Sequence, residues 1–315
     1  MGQALQLPGA DPTLKANPKL MARKGIYTYT VETHGDKSTY SVSDGMRTIT
    51  LPIHWNFGAR AQTWFLEYHD RLYESMVSYY PSIAGLDITT GDESLKPTNL
   101  DEAVGRELRT SEPEDCFGCH STNAVSKGKL NLESLQPGVT CEHCHSGSTT
   151  HMLDAFQGIY DSAPRDLRRL SSEDVSNFCG QCHRTWEIVV RSRTRGEANV
   201  RFQPYRLTNS KCYDGADPRT SCIACHDPHQ NLVREDSFYD AKCLACHGPK
   251  GALASSGAAL SGAQLIPPPA DAKSCPVAKA DCVSCHMPKV KLPNGLITFT
   301  DHQIRIVRPG EPYPN

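Results

Sequence analysis

Six short segments of this chain place two thiols three residues apart and an imidazole directly after the second. They are Cys116–Cys119–His120, Cys141–Cys144–His145, Cys179–Cys182–His183, Cys222–Cys225–His226, Cys243–Cys246–His247 and Cys282–Cys285–His286. Two thiols at this spacing can add across the two vinyl groups of one haem, and the adjacent histidine then lies under the iron and ligates it. Other readings of the cysteines fail on specifics. Zinc ribbons use paired C-x-x-C units but do not need a histidine after every second cysteine. Iron–sulfur clusters take four thiolates at different spacings, and a thioredoxin-type motif occurs once, near a βαβ pattern. A disulfide framework of the 14 cysteines leaves the six histidines unexplained. The spacing therefore predicts six covalently attached haem c groups.

Of the 13 histidines, seven lie outside the motifs: His34, His54, His69, His143, His151, His229 and His302. Six bis-histidine haems need six distal ligands, so the inventory suffices with one to spare. His229 follows His226 too closely to reach the far face of the same haem, because the porphyrin lies between; it can ligate a neighbouring haem instead. His151, shortly after His145, can do the same, and His302 can fold back from near the C-terminus. His34, His54 and His69 read equally as ligands or as ordinary surface and turn histidines. His143, between Cys141 and Cys144, points away from its own iron, toward another haem or solvent. Met46, Met76, Met152 and Met287 are alternative ligands that would raise a potential, although packing is their plainer role. Cys212 and Cys275 stand outside the motifs, and a disulfide between them is the simplest pairing in an oxidising compartment; iron ligation or a reactive thiol is the alternative.

The elements that must position these groups fall into two kinds of sequence. Residues 1–110 contain no cysteine and predict a small antiparallel β-rich, haem-free domain of four or five strands. Gly25–Glu32 and Ser38–Ser43 are β-branched and aromatic, Asp44-Gly45 is a turn, and Arg47–Ile53 alternates polar and apolar. Thr63–Tyr68 and Leu72–Tyr80 form a hairpin around His69–Arg71. Asn99 caps a short helix with Leu100, Val104 and Leu108 on one face. Residues 111–315 predict a mostly irregular and α-helical multihaem cytochrome c domain with stacked haems. There Ser171–Asp174 reads as a capping box opening a helix into the third motif, and residues 248–274, rich in Gly, Ala, Ser and Pro, read as a surface loop. The irregular intervals between motifs argue against a tandem solenoid.

The composition fits a cofactor-filled interior. Six haems in 315 residues leave little protein per cofactor, and 38% hydrophobic residues is low for this length, so haem removal should unfold the C-terminal two thirds. The formal charge is −2. Each ferric haem with two ionised propionates adds roughly −1, giving on the order of −8 for the holoprotein, which disfavours nucleic acid as a partner. Arg165, Arg168, Arg169, Arg191, Arg193 and Arg195 either pair with propionates or form a solvated basic face. Haem attachment of this kind takes place outside the cytoplasmic membrane, so an exported, periplasmic or extracellular protein is expected. Met1–Leu20 holds no apolar h-region, which reads as a mature or trimmed form, and no stretch approaches eighteen apolar residues, so no membrane span is expected.

Pro137–His145 with His151, Cys222–His229 and Cys282–Lys289 resemble the multihaem cytochrome c superfamily, which includes the tetrahaem acceptors of hydroxylamine oxidoreductase, pentahaem nitrite reductase and octahaem oxidoreductases. Ile53–Gly58, Cys179–Trp186, Arg201–Tyr213 and Phe299–His302 resemble exported multihaem cytochromes of environmental bacteria over nearly the whole chain. The superfamily resemblance implies stacked, closely spaced haem pairs with mostly bis-His ligation, and places His151 and His229 at distal-ligand positions. Nitrite reductase marks its catalytic haem with lysine in place of the motif histidine, and no C-x-x-C-K occurs here. Hydroxylamine oxidoreductase crosslinks a tyrosine to its catalytic haem; Tyr205 and Tyr213 are present, but nothing in their context marks such a link. A likeness in haem number alone extends to six-haem cytochromes that polymerise into conducting filaments with intersubunit ligation, a part that His34, His54 or His69 could play.

Electron transfer is the leading function, with redox proteins or extracellular electron acceptors as partners and the chain supplying spacing, ligation and dielectric. The alternatives are a conducting homopolymer and an enzyme with one open haem acting on a small nitrogen or sulfur compound. Lys211, Cys212 and Tyr213 are the first suspects for such an open site.

Overall fold

A computed structural model describes residues 1–59, 61–145, 147–162, 166–248, 274–293, 295–308 and 310–314. Nearly all of the expected 248–274 loop lies outside the described residues. The chain divides into two compact units, Met1–Arg165 with Asn294–Ile297, and Asp166–Pro293 with Thr298–Asn315. The division falls well past residue 110, so the first two motifs belong to the N-terminal unit. The first motif shows why: Phe117, inside it, is fully buried in a cluster with Leu5, Phe57, Phe65, Leu108 and Ala124.

The first unit is built on β1 (Leu5–Gln6), β2 (Lys19–Lys24), β3 (Tyr27–His34), β4 (Lys37–Ser43), β5 (Thr48–Pro52), β6 (Trp55–Phe57), β7 (Thr63–Tyr68), β8 (Arg71–Ser75), β9 (Val77–Tyr80), β10 (Gly85–Ile88) and β11 (Gly105–Glu107). Strands β2-β3-β4-β5 form one antiparallel sheet, β1-β6-β7-β8-β11 a second, and β9-β10 a ribbon. Alternation drives the packing: Tyr27, Tyr29 and Val31 of β3 and Tyr40 and Val42 of β4 point inward with Trp64, Leu66 and Val77. The Tyr40 hydroxyl donates to the Val104 carbonyl at 3.0 Å. Asp11, fully buried, accepts from the backbone N–H groups of Thr13 and Leu14 and from the side-chain amides of Asn56 and Gln62. Those four donors satisfy a carboxylate that would otherwise be costly to bury.

Two departures from the sequence pattern have visible causes. The Leu72–Tyr80 run breaks at Met76 into β8 and β9, which join different partners. Ser75 marks the break, accepting from Trp64 N–H at 3.1 Å and donating to the Val77 carbonyl at 2.9 Å. The helix capped by Asn99, whose Oδ1 accepts from Glu102 N–H at 3.0 Å, ends at Val104. Gly105, with φ of 154°, turns the chain into β11, and Leu108 packs in the Phe117 cluster instead of on the helix.

In the second unit helices carry most of the regular structure: Ser172–His183, Trp186–Ser192, Gln203–Thr208, Cys222–Cys225, Asp240–His247 and Cys282–His286, with Lys289–Lys291 pairing antiparallel to Thr298–Thr300. Among the described residues its buried apolar side chains are Val175, Val189, Val200, Val283 and Leu292, while both apolar clusters lie in the first unit. So few buried side chains cannot offset the entropy of ordering this unit unaided.

A Cβ at Gly105 would sit 2.0 Å from the Glu74 carbonyl oxygen, so Gly105→Ala is expected to cost about 2–3 kcal/mol or more, read as a lower midpoint in far-UV circular dichroism melts. A second expectation concerns Arg106, which faces Glu74 (2.6 Å), Glu112 (2.9 Å) and Asp92 (3.3 Å). Burial, then repulsion from Glu74, pushes Asp92 up to about 6 against the pull of Arg106. Because the folded value is raised, this contribution to stability is full below the ordinary aspartate range and is lost as pH rises through about 6. Asp92→Asn should therefore match the wild type near pH 4 and exceed it at pH 8 by about 1–3 kcal/mol, as urea titrations at the two pH values would measure.

Candidate haem-binding sites

Every motif histidine stands at the end of a helix. The six helices are Glu112–His120, Cys141–Cys144 with His145 as C-cap, Ser172–His183, Cys222–Cys225 with His226 as C-cap, Asp240–His247 and Cys282–His286. On an α-helix positions i, i+3 and i+4 share a face, so each turn presents two sulfurs and an imidazole on one side. Local signals set these helices. Ser171 accepts from Asp174 N–H at 3.1 Å, the cap expected from the sequence. Asp240 accepts from the N–H groups of Asp281 and Cys282, each at 2.8 Å, and so fixes the start of the sixth motif from the start of the fifth.

The first motif is welded to the sheets. Phe117 meets Phe57, Phe65 and Trp55 edge-on, with ring centres 5.0, 5.8 and 5.2 Å apart. His120 donates from Nδ1 to the Ala4 carbonyl at 2.8 Å. His286 does the same to Arg305 O at 2.9 Å and His302 to Thr300 O at 3.0 Å. His226 Nδ1 lies 3.4 Å from the Tyr239 hydroxyl, which itself donates to Val233 O. An imidazole held at Nδ1 in this way presents an unprotonated Nε2, the arrangement seen around metal-bound histidines. Burial pushes His120 and His226 below the usual imidazole range and takes His302 down to about 4, with the Thr300 carbonyl opposing. All three are neutral at physiological pH, as ligation requires.

The structure brings several predicted residues together. The Cys179 and Cys222 thiols, of the third and fourth motifs, are hydrogen-bonding neighbours, and so are Cys243 and Cys282 of the fifth and sixth. The His226 and His302 rings stand 6.2 Å apart, and His183 lies within electrostatic range of both. His151 lies on the helix Ser148–Phe156 with its Nδ1 buried and no hydrogen bond to protein. His229 is oriented by Asp227, whose Oδ1 is 3.3 Å from His229 Nδ1. His143 lies in the single turn Cys141–Cys144. His34 ends β3, His54 packs on Trp55, and His69 sits in the β7–β8 turn against Tyr68.

Other expectations are corrected. No disulfide joins Cys212 and Cys275. Cys275 accepts a hydrogen bond from Ala278 N–H at 3.5 Å, and Cys212 lies within electrostatic range of Cys225 and Cys246, of the fourth and fifth motifs. Met76 has its plainer role, packing in the core, while Met46 projects into solvent from a turn. Arg168, Arg169 and Arg191 already face carboxylates of their own segments, Asp166 and Glu187. Sequence reading missed Arg206 and Asp301, both fully buried, which form a two-pronged ion pair at 2.8 and 2.9 Å. Burial alone would raise the Asp301 carboxyl, yet Arg206, Gln303 N–H and Arg305 hold it below the usual range.

These residues fit haem c. The donor set is paired thiols with a neutral histidine on one helix face, the second unit is poor in protein core, and large apolar side chains beside the motifs, such as Phe156, Trp186 and Phe238, are exposed. Among the described residues, no three His, Cys, Asp or Glu side chains converge into a cage for a bare metal ion.

Asp240→Ala leaves two N–H groups at the sixth motif without their acceptor and is expected to cost about 1–3 kcal/mol. Burial would raise the Asp240 carboxyl, but those amides hold it below its ordinary value of 3.8. Its contribution is present above that value and lost as pH falls through the lowered one, so wild-type and variant melting curves should differ at pH 7 and converge in strong acid.

Comparison with known proteins gives one family. The family model for cytochrome c554 and c-prime matches residues 85–146, which hold the first two motifs and run from β10 through the helix Glu112–His120. No curated protein and no solved structure matches the chain. Among the described residues no helix is long and apolar enough to cross a membrane. The family match supports a c-type cytochrome with covalently bound haem c, a class that is typically exported and works in electron transfer.

Proposed function

We propose that this protein is a six-haem electron carrier of the periplasm or cell exterior, with closely spaced, mainly bis-histidine haems. The observation that carries the reading is the 6.2 Å between the His226 and His302 ring centres. A metal–imidazole bond is about 2 Å and a ring centre lies about 1.1 Å behind its ligating nitrogen, so two rings trans on one metal stand roughly 6.3 Å apart. His226 and His302 would therefore be the residues that hold the iron of the fourth haem. The neighbouring thiols of Cys179 and Cys222, and of Cys243 and Cys282, support haems attached close together in pairs.

Bound haem supplies a one-electron iron couple. What the chain contributes is placement. Helix turns set each pair of cysteines, carbonyl acceptors orient His120, His286 and His302, and burial holds His120, His226 and His302 below the usual imidazole range. An iron with two strong ligands has no open position for substrate, which favours transfer over catalysis, and histidine in place of methionine favours low potentials. Partners of this reading are redox proteins or extracellular acceptors that dock through small, transient interfaces.

Pyridine haemochrome analysis should give six haems per chain, and low-temperature EPR of the oxidised protein should show low-spin ferric signals alone. A high-spin component of about one iron in six would instead mark an open site and favour an enzyme, with Lys211, Cys212 and Tyr213 the first positions to change.

A further inference from the structure

We infer that the buried Arg206–Asp301 ion pair is a positioning device for two iron ligands at once, His302 and His286. The inference rests on the reading that these histidines ligate haem iron. Arg206 and Asp301 are 95 residues apart in sequence and both have 0% side-chain exposure. The guanidinium meets the carboxylate through Nε and Nη2, at 2.8 and 2.9 Å, and its Nη1 donates to Pro314 O at 2.8 Å. A planar fork on a carboxylate fixes orientation as well as distance. Taking both charges out of water costs more than apolar packing of the same volume would, so stability is a poor reason for the pair and fixed geometry a better one.

The geometry runs from Asp301 to both histidines. His302 is the next residue, and its backbone is held by Ser210, which donates to His302 O at 3.2 Å and accepts from Ile304 N–H at 2.8 Å. On the other side, Arg305 donates from Nη1 to Asp301 Oδ2 at 2.6 Å, while its carbonyl accepts from His286 Nδ1 at 2.9 Å and its N–H donates to His286 O at 3.2 Å. Asp301 N–H bonds Pro288 O at 2.9 Å, closing the loop beside the sixth motif. One carboxylate thus sets the His302 ring opposite His226 and the carbonyl that orients the His286 ring. Movement of Asp301 would disturb the fourth and sixth haems and leave the other four in place.

The test uses the full-length holoprotein with Arg206→Gln, Arg206→Lys, Arg305→Gln and His302→Ala, each checked for haem content. EPR of the oxidised state and a spectroelectrochemical titration are the readouts. Arg206→Gln should change the signals or midpoint potentials of one or two irons in about six, with the rest superimposable on wild type, and Arg206→Lys should restore them in part. If Arg206→Gln melts earlier but its EPR and titration match the wild type, the pair is only a staple and the inference is overturned. Should Arg206→Gln fail to accumulate, Arg305→Gln removes the partly exposed arm alone; a smaller shift in the same irons supports the inference and no shift overturns it. His302→Ala separates the two levels. One high-spin iron there, without any change in the Arg206 variants, removes the positioning role and keeps the ligand. Low-spin signals alone in His302→Ala remove the ligand assignment and the positioning role together.

Discussion

Two thioether bonds and an axial ligand drawn from five consecutive residues leave a chain almost no local freedom. The two sulfurs and the imidazole must face one way, and a single turn of α-helix achieves that without strain. All six motifs are helical here, although the turns at Cys141 and Cys222 are only four residues long and far below the length at which a helix is stable alone. The same small geometry is therefore held by different means in different places. The first motif borrows an aromatic cluster from a sheet, the third is the end of a capped twelve-residue helix, and the sixth is tethered by Asp240 and by the C-terminal segment.

The two units solve the folding problem in different ways. The N-terminal unit has an ordinary core of alternating strands, closed by the buried Asp11 with its four donors and by Tyr40 on Val104. The second unit relies on polar order. Its most buried large side chain is an arginine, stacked 4.6 Å over Tyr313 and forked onto Asp301. In our reading the remainder of its interior is cofactor, and the polar network sets ligand directions where apolar packing would leave the imidazoles less exactly oriented.

Much of this was legible in the sequence wherever the signal is local. The alternation in β3 and β4, the Asn99 and Ser171 caps and the six motifs all depend on residues within one or two turns of each other. Legibility failed where the deciding partner is distant. Nothing in residues 70–80 announces that Ser75 will split a strand by bonding Trp64 and Val77, and nothing around Phe117 shows that its pocket consists of residues 5, 57 and 65. The division into two units follows such distant packing, since the cysteines begin where the composition changes but the Phe117 cluster spans that point. Arg206 and Asp301 look like ordinary surface charges in sequence, and only the fold makes them a pair. Arg168 and Arg191, which the sequence offered either to propionates or to solvent, lie beside their own acidic neighbours.

The Arg206–Asp301 pair also makes two distant stretches of the second unit depend on each other. The two partners lie 95 residues apart, and a chain cut between them leaves a guanidinium with no counter-charge at its intended place. Breaking a buried pair by losing one partner costs about 3–5 kcal/mol, so a shortened chain would not close this region and would stay open to proteolysis. Sensitivity to protease would thus report the loss of either partner.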